Sequence, residues 1–127
     1  MQLTIIPRFS EVDIMGHVSN TAMPVWFEQG RIPIFKLFST TANFSDLSLI
    51  LRRQEVEYLA QTFIEHEVVI HTKIIKIGTS SITIEHQAIQ NNVLVATGIC
   101  VMVHFDYQAH KSLAIPEALC ARLMSLN

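Results

Sequence analysis

The stretch Arg8-Phe9-Ser10-Glu11-Val12-Asp13-Ile14-Met15-Gly16-His17-Val18-Ser19-Asn20 decides the fold. It follows a short strand expected over Leu3–Phe9 and forms a polar loop from Ser10 to Ser19. Asn20 and Thr21 are side chains suited to starting a helix. A helix start offers free backbone N–H groups and a partial positive charge, which suit a carbonyl oxygen that becomes an oxyanion. Gly16 can take backbone angles that other residues avoid. Asp13 stands seven residues before Asn20, with enough slack to fold back over the helix start. A carboxylate beside an oxyanion site is a minimal hydrolase. Spacing alone favours ordinary turn and capping roles for Asp13 and Asn20.

Downstream of this loop a helix is expected over Thr21–Phe38. Met23, Trp26, Phe27, Gly30, Ile34 and Leu37 recur at spacings of three and four and form one apolar stripe. Pro24 falls in the first turn, where proline is tolerated. Pro33 should kink or interrupt the second half. Gly30 within the stripe costs about 1 kcal/mol of helix propensity relative to alanine, which a close approach of the helix to a sheet would explain. The rest reads as strands over Ser48–Thr62, Glu65–Ile77, Ser81–Gln90 and Val93–Phe105, with a tight hairpin turn at Asn91-Asn92. The last of these is apolar on both faces, so it should be central and covered twice, by the helix and by a second subunit. Pro116 opens a short helix ending near Leu126. The expected order is strand, long helix, four strands in an antiparallel meander, short helix: an α+β domain spanning 1–127.

Composition narrows the functional classes. The 127 residues suit one domain, and 50% are apolar while only 16% are charged. A small domain with so little charge should bury part of its apolar surface between subunits. The net charge of −2 and the lack of a basic stripe argue against nucleic-acid binding. No signal sequence and no membrane span are expected, and a cytoplasmic location follows. Cys100 and Cys120 lack motif spacing and read as reduced thiols.

The run Arg8–Asn20 resembles the signature of the 4-hydroxybenzoyl-CoA thioesterase-like hotdog family, approximately R-[FY]-x-[ED]-x-D-x-x-G-H-V-N-N. The likeness continues through Trp26-Phe27-Glu28-Gln29-Gly30-Arg31, similar to the family's aromatic-aromatic-E-x-[AG]-R. The resemblance implies a hotdog fold, an antiparallel sheet of about five strands wrapped around one long central helix. It implies an acyl-CoA thioesterase without metal or other cofactor, working as a homodimer whose sheets join edge to edge, with a homotetramer as a further assembly. Asp13 then aligns with the catalytic carboxylate, general base or nucleophile. Asn20 aligns with the residue whose backbone N–H polarises the thioester carbonyl. Gly16 and His17 match the centre of the signature and shape the loop, with His17 either contacting the substrate or only bracing Asp13. Ser19 and Met23 stand where the family usually shows asparagine and an aromatic residue, close to the expected acyl pocket. With Trp26 they are the expected substrate contacts.

Other residues have ordinary roles beside their functional ones. Arg52, Arg53, Lys73 and Lys76 are either solvated surface or contacts for CoA phosphates, and Arg52 is the candidate carried forward. Glu28 and Arg31 should pair across the helix surface, with Glu28 as a reserve catalytic carboxylate because a related hotdog class uses one on the helix. His71 and His86 should be satisfied strand histidines. His17 lacks a second ligand at metal spacing. The rivals are an acyl-carrier-protein thioesterase, a non-catalytic acyl-CoA binder, and a hotdog hydratase, whose D-x-N-P-x-H pattern is missing.

Overall fold

The computed structural model describes residues 1–127. In chain order it contains β1 (Gln2–Ile5), a 3-10 turn (Phe9–Glu11), α1 (Ala22–Gly30), α2 (Ile32–Phe35), β2 (Leu49–Tyr58), β3 (Val68–Ile77), β4 (Ser81–Gln90), β5 (Val93–Asp106), β6 (Lys111–Ser112) and α3 (Glu117–Met124). The strands form one antiparallel sheet in the order β1-β3-β4-β5-β2, with β6 paired to the end of β5. The sheet curls around the helical segment in the α+β hotdog arrangement.

Only β3, β4 and β5 form the expected meander. β2 does not pair with β3; it lies against β5 on the far edge, from Leu49↔His104 to Tyr58↔Ala96. The apolar β5 therefore has a neighbour on each side, which its composition demands. Reaching β3 from β2 means passing three strand spacings, about 14 Å. The nine residues 59–67 span that easily, since an extended chain covers about 3.3 Å per residue. The route is fixed where the N–H groups of Leu59 and Ala60 donate to the Val95 carbonyl at 2.9 and 3.1 Å.

The helix is shorter than the stripe predicted. α1 ends at Gly30, and α2 is a single turn containing Pro33. A continuous helix would drive the Pro33 ring into the carbonyl four residues earlier, so the axis breaks at Arg31. The start differs too. Thr21 already has helical angles and makes no side-chain cap. Ser19 does the capping: its hydroxyl accepts the Thr21 N–H at 3.3 Å, and its carbonyl accepts the Ala22 N–H at 3.0 Å. The expected approach of helix to sheet at Gly30 is present, since a Cβ there would stand 2.5 Å from Thr72 Oγ1.

The interior is divided in two. One apolar cluster gathers Ile34, Phe35, Ile74, Ile84, Cys100 and Leu123 among others. The second gathers Ile5, Met23, Trp26, Phe27, Ile70, Ala88 and Ala96 among others. Between them on successive elements lie Arg31 after α1, Thr72 on β3, His86 on β4 and Gly98 on β5. Thr72 Oγ1 and His86 Nδ1 are 3.0 Å apart, and the Phe27 ring stacks on the His86 ring with centroids 4.8 Å apart. Arg31 is only 1% exposed. The opposite face of β5 is less covered: Ile99, Val101 and Val103 are half-buried in the single chain. No helix is long and apolar enough to cross a membrane.

Candidate active site

The loop between the 3-10 turn and α1 is a small closed hairpin. Val12 and Val18 form an isolated antiparallel bridge. The Ser19 N–H donates to the Glu11 carbonyl at 2.6 Å, and the Asp13 N–H donates to the His17 carbonyl at 2.8 Å. The tip closes where the Gly16 N–H reaches the Asp13 carbonyl at 3.1 Å, with Gly16 at φ 79°. That left-handed angle suits glycine. The Asp13 carboxylate also organises the tip: Oδ1 accepts from the N–H groups of Met15 at 2.8 Å and His17 at 3.2 Å. Its other oxygen is free, and Asp13 is exposed together with Ile14, Met15 and Gly16.

Asn20 follows directly after this short ladder, three residues beyond the rung at His17. Three extended residues cover about 10 Å, which bounds its distance from that rung. The Asn20 N–H donates to no group of the chain, while the N–H groups of Ser19, Thr21 and Ala22 are all taken. On the other side of Asn20, its carbonyl accepts the Tyr58 hydroxyl at 2.5 Å. Partial burial raises the Tyr58 pKa above that of an ordinary phenol, so the hydroxyl stays a donor.

A second layer holds this loop in place. Glu11 Oε1 accepts from Trp26 Nε1 at 2.9 Å, and Oε2 accepts from the Arg8 N–H at 2.7 Å. This ties the loop to α1. On the far side the Val18 N–H donates to the Thr62 carbonyl at 2.8 Å, and the His17 ring meets the Phe63 ring edge-on at 5.5 Å.

The remaining expected residues are scattered. Ser19 is half-buried and serves the helix start. Met23 and Trp26 are 2% and 1% exposed and lie in the core beneath α1. Arg52 is exposed at a bulge in β2, between Leu51 and Arg53. It is six residues from Tyr58, about 20 Å along the strand. Arg53 pairs with Glu55 on the surface. Glu28 and Arg31 do approach, at 3.8 Å, but the pair is not a surface one: the Glu28 side chain is 65% exposed and that of Arg31 is buried. His86 is buried, neutral and satisfied; burial first, and then the Arg31 guanidinium, push its pKa down to about 3. His71 is exposed.

Three contributors were not singled out from the sequence. Glu11 was visible only as one letter of the signature, with nothing to say that it reaches Trp26. Tyr58 and Thr62 come from a segment distant in sequence, and no local pattern marks them.

Comparison with known proteins agrees with this architecture. A model of the thioesterase-like superfamily matches residues 7–123. The chain is similar to a predicted thioesterase from Bacillus stearothermophilus, with 38% identity and a TM-score of 0.94, covering 98% of this chain and 93% of that one. It is also similar to a thioesterase from Thermus thermophilus complexed with coenzyme A and Zn, with 27% identity and a TM-score of 0.87, covering 98% and 92%. A Bacillus subtilis protein of uncharacterised role, YsmA, is 28% identical over 109 residues, which are 84% of this chain and 74% of that one. By sequence and by fold, this chain belongs to the thioesterase-like superfamily.

Proposed function

We propose that this protein hydrolyses the thioester of an acyl-CoA, with Asp13 driving the attack and the Asn20 N–H polarising the carbonyl. The observation that carries the reading is the unpartnered Asn20 N–H just before α1, at the foot of the small hairpin whose tip carries an exposed carboxylate with a free oxygen. The thioester oxygen would accept from Asn20, and negative charge developing there would be met by a fixed dipole. Asp13 would take a proton from water or attack the carbonyl carbon itself. Gly16 supplies the turn that aims the carboxylate, and His17 braces it through Phe63. The similarity to a thioesterase that binds coenzyme A supports CoA as the carrier.

The assembly proposed is a homodimer, with a homotetramer built from it. β2 is a sheet edge with one side of its backbone free, ten residues long against four for β1. Around the site, Ile6, Phe9, Ile14 and Met15 are 77%, 88%, 102% and 72% exposed. A second copy set along β2 would extend the sheet and cover apolar surface that one chain leaves in water. Arg52 on the bulge of that same edge strand is the proposed phosphate contact.

The test is thiol release from a panel of acyl-CoAs, from acetyl to palmitoyl with benzoyl and phenylacetyl, by wild type and Asp13→Asn. Asparagine keeps the oxygen that accepts from Met15 and His17, so the loop stays formed while the charge is lost. Hydrolysis of one or more esters that falls about 100-fold or more in the variant supports the reading. Undiminished activity in the variant removes Asp13 from the chemistry.

A further inference from the structure

The crossover from β2 to β3 does more than connect two strands. It touches the Asp13 loop at Thr62 and Phe63, and it is itself gripped by one buried side chain. Gln90, the last residue of β4, is 3% exposed. Its Oε1 accepts the Phe63 N–H at 2.9 Å, and its Nε2 donates to the carbonyls of Phe63 and His66 at 2.8 Å each. The amide thus pairs with both backbone groups of Phe63 as a neighbouring strand would. It does so across 27 residues of sequence.

Phe63 is the residue whose ring abuts His17, and the preceding carbonyl, that of Thr62, accepts the Val18 N–H. Val18 is the bridge partner of Val12, one residue before Asp13. A continuous set of contacts therefore runs from Gln90 through Phe63 and Thr62 to Val18 and the Asp13 turn. Earlier in the same segment, Leu59 and Ala60 are fixed to Val95. Both ends of the crossover are consequently anchored on the β4–β5 hairpin, and its middle presents Thr62 to the loop.

We propose that Gln90 is a positioning residue for the active-site loop, holding the 59–66 crossover as a strap that sets where Asp13 stands. This inference rests on the thioesterase reading for its kinetic consequence, though not for its structural one. Each link is a hydrogen bond of ordinary length or a ring contact, and Gln90 spends both amide protons and one lone pair on the strap. Attack geometry is sensitive to displacements of about 1 Å, which cost up to about 100-fold in rate. A residue far from the chemistry thereby acts on kcat.

The experiment compares wild type with Gln90→Met, which keeps the length without the amide, and Gln90→Asn, which keeps the amide one methylene short. Should the methionine variant fail to fold, the asparagine variant, with its smaller change, carries the test. Thiol release and amide hydrogen exchange are measured on the folded proteins. The expected result is a kcat lowered about tenfold or more with KM within about twofold. The Val18 amide should also exchange at least about tenfold faster, while amides in the middle of β4 and β5 keep their protection. A folded variant with wild-type kcat, or with Val18 as protected as before, overturns the proposal. If wild type releases no thiol from any ester, the thioesterase reading fails, and the exchange of Val18 still decides whether Gln90 holds the loop.

Discussion

The Tyr58 hydroxyl donates to the Asn20 carbonyl at 2.5 Å, tying the end of the edge strand to the first residue of the helix start, 38 positions away in sequence. The bond holds the peptide plane that follows Asn20, while the plane that carries the Asn20 N–H is held by its own Ser19 carbonyl, which accepts the Ala22 N–H. Tyr58→Phe removes the hydroxyl alone. Because Tyr58 is half exposed, the loss of stability should stay near 1 kcal/mol, roughly the worth of one hydrogen bond. A fall of about tenfold in kcat with a nearly unchanged urea midpoint is the expected pattern; equal kcat would show that the helix start needs no such support.

Glu11 accepts from an indole that is 1% exposed. In Glu11→Ala the Trp26 N–H would be left buried without a partner, at a cost of about 1–3 kcal/mol. Adding Trp26→Phe removes the stranded donor, so the double variant should be destabilised by less than the sum of the two single changes. Chemical denaturation of the four proteins checks this, and strict additivity would show that the bond contributes nothing.

Alanine is the better helix former by about 1 kcal/mol, yet Gly30→Ala should destabilise. The new methyl would stand 2.5 Å from Thr72 Oγ1 and 3.3 Å from Ile70 Cγ2. Thr72 cannot simply turn away, because its hydroxyl is engaged with His86. Overpacking of this kind costs about 1–3 kcal/mol beyond the propensity gain. A thermal midpoint at or above that of wild type would refute the close approach.

His86 gives stability a pH dependence of known sign. Its folded pKa of about 3 lies below the ordinary value of 6.5. Below pH 6.5 the unfolded chain therefore takes up the proton while the folded one does not, and stability falls as pH falls. The contribution is whole above 6.5 and is lost progressively down to about 3. Between about pH 6.5 and about pH 5 the loss should be about 2 kcal/mol. Urea unfolding across that range should show it, and His86→Gln should flatten the slope.

Local pattern carried much of this molecule. The alternation over Ser81–Gln90 and the two-sided run from Val93 placed β4 and β5 closely, and Gly30 within an apolar stripe foretold contact with the sheet. Pairing was a different matter. Nothing in Leu49–Tyr58 says that it lies beside β5 rather than β3, because period-two alternation reports a face and not a neighbour. The helix break at Pro33 could be anticipated, although its consequence for Arg31 could not. A guanidinium one turn after a glutamate reads as surface until the axis bends and takes it inside. The loop from Arg8 to Asn20 was legible as a unit because its residues are contiguous. Tyr58, Thr62 and Gln90 reach it only through the fold, so their part in the site had no trace in spacing.

Arg31, Thr72, His86 and Gly98 form a wall between two oily rooms, and each room has its own furniture. The room with Trp26 and Phe27 backs the loop of Asp13; the other is floored by α3 and lies away from it. Elements on either side share strands, yet what they share at the wall is polar rather than oily, a seam along which a domain can open by halves. The imidazole in the wall stays neutral in the folded chain down to about pH 3, so acid acts on it through the opened chain, where it takes up a proton. Mild acid would therefore raise the share of molecules in which the wall has come apart, leaving the closed form chemically untouched.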